Sequence, residues 1–289
     1  MRPVPPVFAG LLDDAAVFPP GNAPLAGAVA AHREHRAAWH APMVGPLLVP
    51  PEDVGGVPAD VAIGVVGELE PVTRVLDSGR AVRQIEVPVA KRGEDPQPGL
   101  RDLLALVDRA GLTTYAEIPL TWGLTAALDT LAEARAAGTP VAPKFRTGGL
   151  AAELFPTPVE LAAVICACRD RELPFKLTAG LHHALRHTDP ETGFVHHGFL
   201  NVLAAAIAAV DGAVPAEVAR VLASGDAIPL VTAVRARLDR PRPLWVGFGS
   251  CSIAEPLADL RALGLLPMDA GGPRDTDHRT PTTSDRERH

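Results

Sequence analysis

The sequence predicts an α/β protein folded as a (β/α)8 TIM barrel, with a long His-rich insertion between the seventh and eighth strands. Three observations lead there. Runs rich in Val, Ile and Leu, each closed by Pro or Gly, alternate with Ala-rich stretches of helical character, the pattern of parallel β-α units. Eight such runs fit into 289 residues, a length suited to one closed barrel. Neither G-x-G-x-x-G nor G-x-x-x-x-G-K-[ST] follows any of the runs, so dinucleotide-binding and P-loop folds lose their main signature.

In chain order the predicted strands are 11–18, 43–49, 60–67, 83–89, 114–120, 140–147, 173–179 and 244–250. Helices are expected at about 24–39, 70–79, 99–111, 122–138, 157–172, 198–210, 215–237 and 254–264, with room for only a turn between the second and third strands. The insertion occupies 181–243, far more than a simple β-α connection. We assign 1–267 to the barrel. The segment 268–289, made of Gly, Pro, Asp, Arg and Thr with hardly an apolar residue, is expected to be a disordered tail.

Apolar residues at 47% supply a core of ordinary size, and the net charge of −7 offers no basic face for nucleic acid. No cationic and apolar leader opens the chain, and no apolar stretch of about 18 residues spans a membrane. The three cysteines, Cys166, Cys168 and Cys251, lack C-x-x-C spacing, which argues for reduced thiols in a cytoplasm. The expected partner is a small-molecule substrate, without a cofactor. The size fits a monomer or a homodimer equally.

Strand alternation sharpens the reading. With Ile85, Val87 and Val89 facing the helices, Gln84, Glu86 and Pro88 face the barrel interior. The same phase turns Tyr115 and Glu117 inward on the next strand, then Lys144 and Arg146, then Lys176 and Thr178. On the last strand it sends Trp245, Gly247 and Gly249 in and Phe248 out. Four consecutive strands therefore aim Glu86, Glu117, Lys144, Arg146 and Lys176 at one interior, near the C-terminal ends where barrel enzymes place their chemistry. Burying five charges is costly unless they pair or react. An inert ion-pair layer is the alternative, as is a strand phase that leaves these groups in solvent.

Only three of the 27 basic residues are lysines: Lys91, Lys144 and Lys176. Two of them begin K-F-R-T-G-G and K-L-T-A-G-L, 32 residues apart, which is one β-α repeat. Two ammonium groups on neighbouring strands of a partly dry interior repel, and burial adds to the effect, so one is expected to be a neutral amine. A neutral lysine adds to carbonyls and forms a Schiff base, with Glu86 or Glu117 moving protons. Lys91, beside Arg92, Gly93 and Glu94, reads as a solvated loop cation.

The order K-x-x-T-G on strand six, F-K-x-x-x-G on strand seven and a Gly/Ser turn with S-C-S on strand eight resembles deoxyribose-phosphate aldolase and its class I aldolase relatives, over roughly residues 83–264. The resemblance implies Lys144 as the Schiff-base lysine and Lys176 as the lysine that lowers its pKa. It also implies that Gly247, Gly249, Ser250 and Ser252, with the following helix N-terminus, hold a phosphate or another anion. Phe145 and Arg146 stand where the family has small residues, and Glu86 stands as counterpart to an Asp. Arg146 suits bidentate contact with a carboxylate or phosphate. Thr147 and Thr178 complete the expected substrate contacts.

Five of ten histidines, His182, His183, His187, His196 and His197, fall just past strand seven. They read as substrate-contacting or acid/base groups on a lid, led by His182 and His183, as metal ligands, or as a solvated loop, with Asn201 orienting one of them. Asp13 and Asp14 end the first strand on the active face, where turn-forming and capping roles compete with catalysis. Cys166 and Cys168 read as core residues, and Cys251 is not assigned as a nucleophile. The leading function is a Schiff-base-forming class I aldolase-like lyase for a small carbonyl substrate. A metal-dependent hydrolase built on the His182–His197 segment, and a non-catalytic small-molecule-binding barrel, are the alternatives.

Overall fold

The computed structural model describes residues 4–267. The tail expected at 268–289 lies outside the described residues. Ten strands alternate with nine α-helices among them: β1 (Leu12–Asp14), α1 (Leu25–Ala37), β2 (Val44–Val49), β3 (Ile63–Val66), α2 (Leu69–Asp77), β4 (Gln84–Pro88), α3 (Gln97–Ala110), β5 (Thr113–Glu117), α4 (Leu124–Ala136), β6 (Val141–Arg146), α5 (Pro158–Arg169) and β7 (Phe175–Thr178) come first. A two-stranded hairpin follows, β8 (His187–Thr188) and β9 (Val195–His196), then α6 (Phe199–Val210), α7 (Pro215–Ala223), α8 (Ala227–Arg235), β10 (Trp245–Ser250) and α9 (Ala254–Ala262). Eight parallel strands close into a barrel in the order β1-β10-β7-β6-β5-β4-β3-β2. The protein is a (β/α)8 barrel.

Local chemistry explains several boundaries. Thr157 and Glu160 form a reciprocal capping box at the start of α5, and Pro158 takes the first helical position, where its missing N–H costs nothing. A 3-10 helix, Pro51–Gly56, replaces an α-helix between β2 and β3. The helix expected at 215–237 is two helices, because Ser224–Gly225–Asp226 interrupts it and the Asp226 carboxylate accepts the Ile228 N–H at 2.9 Å to start α8.

The insertion carries its own helical layer. Ten of the twelve residues of α6 are buried. A helix apolar all round must be covered all round. Its Phe199 stacks on Phe248 of β10, while α5, α7 and α8 pack around it. Asn201, the polar exception, accepts the Arg186 N–H and donates to the Val221 and Ser224 carbonyls. It fastens backbone of the insertion and does not orient a histidine as expected. Cys166 and Cys168 lie buried in α5.

Register pairs settle which side chains share the interior. Glu86 lies opposite Tyr115, Glu117 opposite Lys144, Lys144 opposite Lys176, and Arg146 opposite Thr178. The last strand departs from simple alternation. Its register slips between Trp245 and Gly247, so Trp245 lies opposite Phe175, a helix-facing residue, and its ring stacks on Phe248 at 5.7 Å and 6°. Trp245 therefore packs outside the barrel, not inside as the alternation predicts. Gly247 makes the slip feasible: its φ is +146°, and a Cβ there would meet the Leu11 carbonyl oxygen at 2.6 Å.

Candidate functional site

Inside the barrel small residues stand against large ones. Gly45, Gly64 and Gly249 lie on β2, β3 and β10, where an added Cβ would crowd a neighbour: a Cβ on Gly45 would lie 1.9 Å from Asp13 Oδ1. Long polar side chains from β1 and β4 to β7 fill the room so left. This division accommodates two full lysine side chains and their partners inside an eight-stranded barrel.

Lys144 and Lys176 each bury all but about 2% of their side chains. Glu86, equally buried, stands between them. Its Oε2 accepts from Lys144 Nζ at 2.7 Å, and its Oε1 accepts from Lys176 Nζ. Lys144 also donates to Glu117 Oε2 at 2.8 Å, and Glu117 reaches the Arg146 guanidinium at 3.4 Å. Lys176 also pairs with Asp13 and lies 4.6 Å over the Tyr115 ring centroid. Gln84 donates to Asp13 at 2.7 Å and to Glu86 at 2.9 Å, supporting both acids. Three carboxylates thus meet three cations in one connected network. Exposure is least at its centre and rises toward both ends, to 11% at Asp13 and further to 17% at Glu117 and 44% at Arg146, so the Arg146 end is the mouth.

This arrangement corrects the expected protonation state. Burial opposes charge on Lys144, but the Glu86 and Glu117 carboxylates outweigh it and hold the amine above the ordinary lysine pKa. Burial likewise opposes charge on Lys176, and Asp13 and Glu86 outweigh it there, raising that pKa as well. Burial alone would raise Glu86, yet the two lysines bring it down to about 2. Glu117 is lowered by Lys144 and Arg146 against the same opposing burial. Lys176 therefore does not lower the Lys144 pKa, because an acid separates the two cations. Tyr115 is pushed up to about 12 by burial and stays a neutral phenol.

Asp13 is a member that sequence reasoning leaves among the weak signals. Adjacent residues of a strand face opposite sides. Asp13 points to Lys176, while Asp14 accepts from or pairs with His32 of α1 at 3.0 Å, outside the barrel. Gln84 and Tyr115 face inward as the alternation predicts, and the network gives them the role that periodicity alone does not.

The turn after β10 differs from the expected anion cradle. The Ser250 hydroxyl donates to the Ser252 carbonyl at 2.6 Å, and the Ser252 hydroxyl accepts the Glu255 N–H at 3.2 Å at the start of α9. The Ser250 proton is used in this way, the Ser252 hydroxyl keeps its own, and Glu255 adds negative charge to the first turn. Gly247 lies at the slip near the N-terminal end of the strand, and Gly249 faces Leu48 and Thr178. Thr147 is fully buried and its hydroxyl donates to the Ala179 carbonyl at 2.6 Å, tying together the segments after β6 and β7. It is a structural residue and not a substrate contact. Thr178 remains at the mouth, opposite Arg146.

Four of the five histidines lie ring to ring, His183 with His187 at 4.9 Å, His187 with His196, and His196 with His182 at 6.5 Å. His182 Nδ1 lies 3.7 Å from Cys251 Sγ and 3.5 Å from Glu255, and His183 pairs with Asp259 at 3.3 Å, so both contact the β10–α9 region and not the lysine network. His187 and His196 stack across the β8–β9 hairpin at 5.2 Å, and Phe155 packs against Phe194 and His196. Burial lowers His197 to about 4, and its Nε2 faces the Pro156 carbonyl at 2.7 Å. Among the described residues no group of three or more His, Cys, Asp or Glu is placed to hold a metal ion.

Beside the mouth lies a cavity of about 270 Å³, bordered by segments following β4, β5 and β6. Glu117 and Arg146 form part of its wall, and Lys91 and Arg92 another part. Lys91 itself is exposed in the loop after β4, as its sequence neighbours suggest.

No family model and no curated protein matches this chain. Among solved structures, similar chains are dihydropteroate synthase from Thermus thermophilus, at 14% identity and TM-score 0.42 over 88% of this chain and 92% of that one, and the same enzyme in complex with 6HMPPP, at 15% and 0.43 over 89% and 91%. Dihydropteroate synthase from Burkholderia cenocepacia is similar at 14% identity and TM-score 0.42, over 92% of this chain and 96% of that one.

Proposed function

We propose that the protein is a lysine-dependent, aldolase-like lyase that forms a Schiff base between Lys144 and a small carbonyl substrate. One observation carries this reading: the Lys144 amine lies between Glu86 and Glu117, one ion pair away from the half-exposed Arg146. A core selected for stability alone would place apolar side chains at these positions.

The resting amine is an ammonium, so the first step is internal. Lys144 passes a proton to Glu117 across their 2.8 Å hydrogen bond, leaving a neutral amine and a carboxylic acid. The nitrogen lone pair adds to the carbonyl carbon as the C=O π pair moves onto oxygen, and the proton shed by the now-cationic nitrogen ends on that oxygen, giving a neutral carbinolamine. Glu117 then returns a proton to the departing hydroxyl, which leaves as water, and the iminium acts as electron sink for cleavage of the adjacent bond. Lys176 holds Glu86 as a carboxylate beside the developing iminium charge, in place of the pKa-lowering role expected of it.

The test is reductive trapping. The full chain is incubated with borohydride and a panel of small aldehydes and keto acids, and the adduct is mapped by mass spectrometry. We expect one adduct on Lys144, and none at that mass in Lys144→Met. Wild-type protein that yields no adduct, or equal labelling of Lys91 and the N-terminal amine, overturns the reading in favour of a non-catalytic binding barrel.

A further inference from the structure

Four imidazoles form a chain just past β7 that the lysine network does not use. Its middle members, His187 and His196, are register partners of the β8–β9 hairpin, and their rings stack at 5.2 Å and 23°. His183 packs on His187 at one end, and His182 approaches His196 at the other. Charge on the two ends is met by carboxylates of α9: Asp259 lies 3.3 Å from His183, and Glu255 lies 3.5 Å from His182. The stacked pair forms no ion pair among the described residues. Each of its Nδ1 atoms faces a carbonyl oxygen at 3.1 Å, that of Leu185 for His187 and that of Gly180 for His196. Burial, reinforced by His187 and His182, holds His196 below the ordinary histidine value, against the Gly180 carbonyl and Asp189 of the hairpin turn. Arg186, just before β8, adds positive charge near His197, and the Cys251 thiol lies 3.7 Å from His182.

The hairpin also braces a wall of the cavity beside the mouth. Phe155 packs against Phe194 and His196, and His197 Nε2 faces the Pro156 carbonyl at 2.7 Å. Leu154 and Pro156, on either side of Phe155, line the cavity. Residues 154–156 thus carry contacts to both the cavity and the hairpin. We propose that the β8–β9 hairpin is a pH-sensitive strap: with its stacked imidazoles neutral it holds residues 154–156 in place, and protons taken up by His187 and His196 in mildly acidic solution part the strands and release that wall. Two like charges on stacked rings repel, with Phe155 and Phe194 displacing water beside them. The closed hairpin disfavours the His196 imidazolium, so the strap is complete above the ordinary histidine value of 6.5 and loosens as pH falls below it. That window lies above 4.5, where Glu86 keeps its charge, so the strap responds before the barrel does.

Hydrogen exchange of the full chain, read by mass spectrometry at about pH 7.5 and about pH 5 and corrected for the intrinsic pH dependence of amide exchange, tests the strap. Peptides covering 187–196 and 152–157 should exchange about tenfold faster or more at the lower pH, with β6 unchanged. His187→Phe/His196→Phe keeps two stacked rings and removes both proton sites, so its protection should not respond to pH. His182→Gln/His183→Gln should still respond. In the wild type alone, the His187 and His196 ring-proton shifts should titrate with the same midpoint as the exchange, a check that needs no variant. A wild type whose hairpin protection stays flat, a change in β6 as large as that in the hairpin, a response that persists in the Phe variant, or one abolished in His182→Gln/His183→Gln overturns the proposal.

Discussion

Lys144 and Lys176 are register partners on β6 and β7, and their amines hold opposite oxygens of one carboxylate, that of Glu86. Juxtaposed lysines usually suggest mutual repulsion and a neutral amine. Here the interposed acid reverses the sign, and both ammonium groups are stabilised. The network is a charge-balanced unit, so its members should be judged as a set.

Removing the central acid should be severe. Glu86→Gln leaves two buried ammonium groups around a neutral amide, and breaking a buried pair by removing one partner costs about 3–5 kcal/mol. Thermal denaturation should fall by roughly 6–20 °C, at about 2–4 °C per kcal/mol for a domain of this size. Glu86→Gln/Lys176→Met, which removes one charge of each sign, should recover part of that loss. A double variant whose loss equals the sum of the losses in Glu86→Gln and Lys176→Met would show that the two residues are not energetically coupled.

Stability should fall in acid with a slope traceable to Glu86. Its folded pKa of about 2 lies below the ordinary value of 4.5, so its contribution is fully present above 4.5 and is lost as pH falls toward 2. The lysines have the opposite sign: their folded pKa values are raised, so their contribution is present below the ordinary lysine value of 10.5 and lost only as pH climbs through the higher folded values. Urea midpoints between pH 2 and 5 should rise steeply with pH in the wild type and more shallowly in Glu86→Gln. Equal slopes in the two proteins would remove Glu86 as the source.

Two glycines should respond oppositely to alanine. Gly45→Ala puts a methyl group into the space of the Asp13 carboxylate and should destabilise by about 1–3 kcal/mol, the usual cost of overpacking. Gly27, in α1, has nothing within 4 Å of an added Cβ. Gly27→Ala should stabilise by about 0.5–1 kcal/mol through helix propensity. Denaturant titration of the pair checks both signs against one reference.

Much of the site is legible because strands of four residues or more show their alternation. Glu86, Glu117, Lys144 and Lys176 each lie between two apolar helix-facing neighbours (Ile85 and Val87, Ala116 and Ile118, Pro143 and Phe145, Phe175 and Leu177), and that pattern identifies the inward face. The first strand is only three residues long in the fold, too short to reveal a phase, so Asp13 and Asp14 look equivalent in the sequence. Pairing with β10 and the gap at Gly45 send one inward and the other to His32. Trp245 defeats the alternation because a slipped register reverses it, and nothing local except Gly247 marks the slip.

The linear order of apolar runs, helical stretches and charged inward positions is sufficient to specify a closed eight-stranded barrel with an ionised interior. Those features depend on neighbours within a few residues, which a chain carries wherever it folds. Closure of the barrel decides the rest: which acid stands between which amines, whether those amines keep their protons, and which loop cations border one cavity. Such outcomes depend on electrostatics among groups tens to hundreds of residues apart, and the distances that set those energies exist only after the strands have paired.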